Sequence, residues 1–355
     1  MTKISKKVCS LTDVAKRAGV AVSTVSRVVN SSPLVSEELR KKVEKVIEEM
    51  DYRPEPRGKR KGVRKDSLHN LKHKLVKVVI FGPYDSLWIT NYAPIYSYAL
   101  HGIDERLGQY GLKRAIVAAN SADDLMKILE EKSADGYLVL KTNIRDQLPD
   151  AVSKYPVVAF MGLHECLPCD RVVPDGHVAG ACAAGFLKEK GCEFFIAIGG
   201  DQDVYTHRTV SFRRSLQASG LPLVELQLAD IVRGGNRMHQ VNRSVISKHL
   251  SPALSGCGKR PIGIFSLADI VTPALYAELA ELGLEINRDV FIISCNNERP
   301  YLDSLVPQPS AVIDIQAEHI GRRAVEMLIR RLEVRDSLPY EMVRVVPSIV
   351  PAESC

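Results

Sequence analysis

A short segment near the N-terminus places small hydroxyl side chains and one arginine at helical spacing. It follows Gly19, and its polar residues are Ser23, Thr24, Ser26 and Arg27. Hydroxyl and guanidinium groups make hydrogen bonds of the kind that base edges offer in the major groove of DNA, and a short helix fits that groove. These residue types therefore favour sequence-dependent binding of double-stranded DNA.

Apolar residues predict the elements that position these polar groups. On both sides of Gly19 they recur at the spacing of one helix face, at Val14, Ala15, Ala18, Val25, Val28 and Val29. A third helix is predicted from Ser36 to Met50, with an inward face of Leu39, Val43, Val46, Ile47 and Met50. The pattern indicates a small all-α module built on a helix, a glycine turn and a second helix.

This module resembles the helix-turn-helix of the LacI/GalR (lactose-repressor) family. The matching segments are Asp13–Ala15, Ala18–Val20, Ser23–Asn30, Val35–Glu38 and Tyr52–Pro54. The resemblance implies a DNA-binding surface formed by Thr12, Val22, Ser23, Thr24, Ser26, Arg27 and Asn30. It also implies a homodimer or a dimer of dimers, because one helix-turn-helix reads only half of a palindromic operator.

Charge is distributed unevenly along the chain. Residues 1–77 hold 20 Lys and Arg against 9 Asp and Glu, whereas the remainder holds 28 against 33. A basic module on a slightly acidic body is typical of a nucleic-acid-binding protein with a separate sensor domain or enzyme attached. Because cations that neutralise phosphates release counterions, DNA binding is expected to weaken steeply with salt.

The segment after the third helix departs from the family. Glu55 and Lys61 stand where the hinge helix normally has an asparagine and a minor-groove leucine. The cationic run that remains contains Arg57, Gly58, Lys59 and Arg60. Two interpretations stay open: insertion into a narrow A/T-rich minor groove, or contact with phosphates only.

From Val76 onwards, strands alternate with helices in two successive sets, which predicts parallel sheets flanked by helices. We predict an α/β chain with a small all-α head followed by a two-lobed, doubly wound, periplasmic-binding-protein-like sensor. The expected domains are a DNA-binding head (1–54), a basic linker (55–75) and an effector-binding and dimerisation domain (76–355). By resemblance, the chain would cross between lobes near 161–174, 295–300 and 307–317.

Parallel sheets bind ligands beyond the carboxyl ends of their strands. The aromatic and polar residues expected there form the predicted effector site: Trp88, Tyr92, Tyr96, Arg208, Asp269, Asn296 and Asn297. The resemblance places an effector-binding arginine at Arg208, and it shows Asn296 and Asn297 in place of paired aspartates. For Arg208 the alternative is a structural salt bridge, and for the aromatic residues it is ordinary packing.

Other classes of protein are disfavoured. No apolar run is long enough to cross a bilayer, and no secretory signal precedes the motif, so we expect a cytoplasmic protein. Without a glycine-rich phosphate loop, a nucleophile elbow or a metal-ligand cluster, we expect neither an enzyme nor a cofactor. The sequence therefore predicts a ligand-responsive repressor of carbohydrate genes with a sugar effector. A purine or another small metabolite is the alternative.

Overall fold

The computed structural model describes most of the chain. The described residues are 11–29, 35–50, 71–82, 94–141, 148–162, 168–200, 203–228, 231–235, 238–255, 257–258, 260–334 and 339–351. The chain divides into two compact units, Met1–Lys65 and Asp66–Cys355. The division falls inside the expected linker, whose bounds remain a prediction.

Helices and strands are numbered here in chain order. The helices are α1 Leu11–Ala18, α2 Val22–Val29, α3 Glu37–Glu49, α4 Pro94–Gln109, α5 Ala122–Glu130, α6 Gly176–Glu189, α7 Asp203–Gln217, α8 Arg243–Ser255, α9 Thr272–Glu281, α10 Arg299–Leu302 and α11 Ala317–Glu333. The strands are β1 Leu75–Phe81, β2 Lys113–Ala119, β3 Gly136–Lys141, β4 Val157–Phe160, β5 Asp170–Pro174, β6 Phe194–Gly199, β7 Leu223–Gln227, β8 Val232–Gly235, β9 Met238–Val241, β10 Ile262–Ser266, β11 Val290–Asn296, β12 Ala311–Asp314, β13 Met342–Val345 and β14 Ser348–Pro351.

The first unit contains the expected helix, glycine turn and helix. α1 ends at Ala18, and Gly19 follows with a φ of 64°, a left-handed conformation that glycine adopts at little cost. The core consists of apolar residues from all three helices: Val14, Ala15, Ala18, Val25, Val28 and Val43. The expected inward position of Leu39 is wrong, because its side chain is 39% exposed.

The second unit has two lobes, each built on a six-stranded sheet. The first sheet is fully parallel in the order β13-β5-β4-β3-β1-β2. The second has the order β14-β12-β11-β10-β6-β7, and β14 alone runs antiparallel to its neighbour in that sheet. Helices α4 and α11 pack together on the first lobe, and α6 and α7 pack together on the second. This arrangement confirms the predicted doubly wound class.

Within the described residues the chain crosses between the lobes three times, but not at all of the predicted places. It crosses between β5 and α6, between β12 and α11, and between β13 and β14. The second crossing confirms the prediction for 307–317, and the first follows directly after 161–174. The prediction for 295–300 is wrong, because β11, α10 and β12 all belong to the second lobe.

Within the part of the chain that the structure describes, no helix combines the length and the apolar composition that a membrane crossing requires.

Candidate functional site

Predicted effector residues of the second lobe meet at the carboxyl edge of its sheet. Arg208 lies on α7 and is 3% exposed. Its guanidinium donates hydrogen bonds to the carbonyl oxygen of Leu267, just beyond β10, and to Oδ1 of Asn296 at 2.9 Å, at the end of β11. Arg208 therefore joins the ends of two neighbouring strands, and among the described residues it takes part in no salt bridge.

Asp269, which follows β10, is fully buried. Its carboxylate accepts hydrogen bonds from Ser294 Oγ and, at 2.6 Å, from the backbone N–H of Glu298. Burial raises the pKa of Asp269 to about 6, although these hydrogen bonds and the charge of Arg208 oppose the rise. Asp269 therefore holds the turn after β11 in position, a supporting contact beneath the predicted site.

Glu298 is a site residue that the sequence interpretation missed. Its side chain is 4% exposed, and one carboxylate oxygen accepts a hydrogen bond from the Ile95 backbone N–H of the first lobe at 3.1 Å. The other accepts from Asn296 Nδ2 at 2.9 Å. Burial is the main cause that raises the pKa of Glu298 to about 7, and the negative charge of Asp269 contributes to the same rise. The sequence signal was an acidic residue directly after the asparagine pair at a predicted strand end.

These contacts form a continuous hydrogen-bonded chain between the lobes, which we call the interlobe chain: Leu267, Arg208, Asn296, Glu298 and Ile95. Arg208 only donates and the ionised Glu298 carboxylate only accepts, so in this charge state the amide of Asn296 has a single satisfactory orientation. At the first-lobe end of the interlobe chain, Glu298 accepts a hydrogen bond from the Ile95 N–H in the first turn of α4. Backbone N–H groups in the first turn of a helix have no acceptor within that helix. The interlobe chain therefore connects Arg208 to the first lobe.

Asn297 borders a cavity of about 320 Å³ between α4, α10 and the start of α11, whose lining includes Tyr98, Arg299 and Gln316. Its φ of 67° is one that asparagine tolerates. Nδ2 donates to Asp314 at 3.3 Å, while buried Oδ1 has no hydrogen-bond donor within the described residues. A buried acceptor without a donor is costly, so Asn297 stays a candidate contact for a ligand that donates a hydrogen bond.

The predicted aromatic part of the site is only partly described. Tyr96 lies in the first turn of α4, next to Ile95, and is half-buried against the core. Trp88 and Tyr92 lie outside the described residues. The effector role of these three residues remains a prediction.

The position of Arg208 depends on close packing between α6 and α7. A Cβ atom built on Gly180 would lie 2.1 Å from the backbone oxygen of Arg208 and 2.8 Å from the backbone nitrogen of Phe212. The guanidinium also lies 5.8 Å from the centre of the Tyr205 ring. The backbone that carries Arg208 is thus held against α6 without an intervening side chain.

The candidate DNA-binding residues lie in or near the first unit. Thr12 is on α1, while Val22, Ser23, Thr24, Ser26 and Arg27 are on α2. Thr24 is half-buried, and the side chains of the other five lie outside the description. Asn30, Arg57, Gly58, Lys59 and Arg60 are outside the described residues. The buried Val25 and Val28 show which face of α2 meets the core.

Comparison with known proteins finds one family model within each of the two units. The model of bacterial regulatory proteins of the lacI family matches residues 10–55, and that of the periplasmic binding protein-like domain matches residues 184–355. The HTH-type transcriptional repressor PurR of Aliivibrio fischeri (strain MJ11) is 25% identical over 338 residues, covering 92% of this chain and 93% of that protein. PurR of Vibrio parahaemolyticus is 22% identical over 339 residues, with the same coverage of both chains.

Solved structures show the fold. The complex of the transcriptional regulator CelR with cellobiose has a TM-score of 0.63 at 20% identity, covering 96% of this chain and 98% of that chain. The lac repressor dimer bound to operator and the anti-inducer ONPF has a TM-score of 0.57 at 17% identity, covering 97% of this chain and 98% of that chain.

Proposed function

This chain belongs to the LacI family of bacterial regulatory proteins, and we propose that it acts as a homodimer, or a dimer of dimers, on a palindromic operator. It is a DNA-binding transcription repressor and not an enzyme. The observation that carries this conclusion is the helix, glycine turn and helix of residues 11–29, inside the matched family segment and followed by a two-lobed sensor. Since one such module reads half a site, two related by symmetry suit a palindrome.

We propose that Val22, Ser23 and Arg27 set the sequence preference, while Thr24, Ser26 and Asn30 mainly contact phosphates. Thr12 is a further candidate contact to DNA. Val25 and Val28 are buried, so the opposite face of α2 is the one left to meet DNA. The basic linker would add minor-groove or phosphate contacts beside the operator centre, through Arg57, Gly58, Lys59 and Arg60.

Arg27→Ala is expected to cost about 1–3 kcal/mol of binding free energy on the true operator and far less on random DNA, because a base contact discriminates whereas a phosphate contact does not. Titration of both DNAs with the full-length protein at one fixed salt concentration measures the difference. Equal losses on both DNAs would show that Arg27 contacts only phosphate.

For the effector, we propose a purine ahead of the sugar that the sequence interpretation put first. The support comes from relatives named PurR that match over 92% of this chain, whereas the sugar-bound neighbours bear on the fold alone. Arg208, Asn296 and Asn297 offer both donors and acceptors at the strand ends. Trp88, Tyr92 and Tyr96 would supply flat faces for a heterocycle.

A thermal-shift comparison of purine bases with mono- and disaccharides tests this proposal. A ligand at about 100 times its dissociation constant stabilises the native state by about 2.7 kcal/mol, so the true effector should raise the melting temperature measurably. The same ligand should alter the fluorescence of Trp88, the only tryptophan, and change operator affinity over the same concentration range. A response to sugars with none to purines would reverse the assignment.

A further inference from the structure

A second cavity, of about 620 Å³, lies at the amino edge of the first lobe's sheet, where β1, β3 and β4 begin. We call it the amino-edge cavity. It is formed by the residues that enter these three strands together with Arg331 of α11 and Tyr340, just before β13. Its volume falls in the range of small-molecule sites. Asp269, Asn296 and Asn297 of the predicted effector site follow the carboxyl ends of second-lobe strands, so this cavity is separate from them.

The lining of the cavity carries positive charge that the described protein does not neutralise. Lys72, Lys132 and Lys154 line it, and within the described residues none of them forms a salt bridge. The carboxylate of Asp135, also in the lining, instead accepts hydrogen bonds from the backbone N–H groups of His73 at 3.2 Å and Leu75 at 3.1 Å. Three ammonium groups against the one carboxylate of Asp135 leave an excess of positive charge that favours an anion, and lysine is a common phosphate ligand.

Two further features of the lining favour a flat ring. Tyr340 is 48% exposed, and its hydroxyl donates to the carbonyl oxygen of Ser153 at 3.3 Å. The hydroxyl of Tyr137 donates to the Leu129 carbonyl oxygen at 3.4 Å. Arg331 lies 5.1 Å from the centre of the Tyr340 ring and is held by two 2.8 Å hydrogen bonds to Asp170. Tyr137 belongs to the core, so of these two tyrosines it is the exposed ring of Tyr340, oriented by its hydroxyl hydrogen bond and by Arg331, that presents an aromatic face to the cavity.

We propose that the amino-edge cavity is a second ligand site, which binds a small molecule that combines a phosphate group with a flat ring, as a nucleoside monophosphate does. The phosphate meets Lys72, Lys132 and Lys154, and the ring lies against Tyr340. Lys72 and His73 come directly before β1, shortly after the end of the N-terminal unit at Lys65. An occupant therefore contacts the stretch of chain through which the sensor is joined to the DNA-binding unit.

Calorimetric titration of the full-length protein with AMP, adenosine and inorganic phosphate tests the proposal. AMP should bind more tightly than either fragment, and its affinity should fall with salt. Joint replacement K72A/K132A/K154A should weaken AMP binding by roughly tenfold or more, because several charge-assisted contacts are lost together. The matched control is Lys248→Ala, an exposed lysine of the second lobe, which should leave AMP affinity unchanged.

A second variant separates this site from the effector cleft. Arg208→Ala should leave AMP binding intact if the ligand occupies the amino-edge cavity. Loss of AMP binding in Arg208→Ala but not in the triple lysine variant would place AMP in the cleft and overturn the proposal, as would no AMP binding by the unaltered protein. Operator binding measured on the same samples reports on the proposed repressor function independently, and melting curves show that each variant is folded.

Discussion

Glu298→Gln is expected to weaken effector binding by roughly tenfold, although the substitution changes neither the length nor the shape of the side chain. The two oxygens of Glu298 accept from two donors, the Ile95 N–H of the first lobe and Nδ2 of Asn296. Glutamine offers one acceptor and one donor, so one of these buried donors must lose its partner. Such a loss costs the lobe arrangement that these hydrogen bonds hold about 1–3 kcal/mol. If the effector binds that arrangement, a cost of about 1.4 kcal/mol corresponds to a tenfold change in affinity.

Rotation of the Asn296 amide cannot repair the defect. It would turn Nδ2 towards Arg208, which has only donors to offer. Effector affinity, measured by titration for the wild type, Glu298→Gln, Arg208→Ala and the double variant, tests whether the residues act as one unit. If they do, the double variant should bind little more weakly than the weaker of the single variants.

Glu193→Gln provides the matched control, since this exposed glutamate undergoes the same chemical change away from the interlobe chain. It should leave effector affinity and operator binding unchanged. Full additivity of Glu298→Gln and Arg208→Ala, or an unchanged affinity in Glu298→Gln, would contradict the role assigned to the interlobe chain.

Gly180→Ala is expected to destabilise the sensor by about 3 kcal/mol and to reduce effector binding in the protein that remains folded. The new methyl group would lie 2.1 Å from the Arg208 carbonyl oxygen, a backbone atom that cannot turn aside as a side chain can. Helices α6 and α7 must therefore separate and carry Arg208 away from Asn296. Overpacking of this kind costs about 1–3 kcal/mol, and a backbone clash belongs at the upper end of that range.

Gly185→Ala is the matched control on the same helix. Its Cβ would meet no atom within 4 Å, so only the intrinsic helix preference acts, and that preference favours alanine by about 1 kcal/mol. The two alanine variants should therefore change the free energy of unfolding, measured by urea denaturation, in opposite directions. A neutral or stabilising Gly180→Ala would show that the α6–α7 contact does not hold Arg208 in place.

Features that depend on short-range patterns could be predicted from the sequence. The head is one example, because Gly19 and the apolar residues before and after it lie within a few turns of one another. The alternation of strands and helices similarly predicts the doubly wound class without any information on contacts between the lobes. In both cases, periodicity reports which face of an element is buried, and burial is the main source of folding free energy.

The predictions that are wrong concern burial and chain path, which depend on how neighbouring helices and strands pack. Leu39 has the spacing of a core residue, yet α3 leaves it exposed. The predicted crossing at 295–300 is wrong because α10 returns the chain to its own sheet, whereas the true third crossing joins β13 to β14. The place of a crossing depends on which strands pair with one another across long sequence separations. Local periodicity indicates which face of a strand is buried, but it does not indicate the pairing partner.

The sequence by itself therefore determined the helix-turn-helix, the class of the sensor and the candidacy of Asp269, Asn296 and Asn297, because residue type and strand-end position are local properties. The candidacy of Arg208 came from the family resemblance. Only the tertiary structure decided their arrangement: Asp269 holds a turn, Arg208 bonds to Asn296, and the unpredicted Glu298 reaches Ile95 of the other lobe. Glu298 and Ile95 are 203 positions apart. A carboxylate meets a helix N–H at that separation only after both sheets have formed and the lobes have packed together.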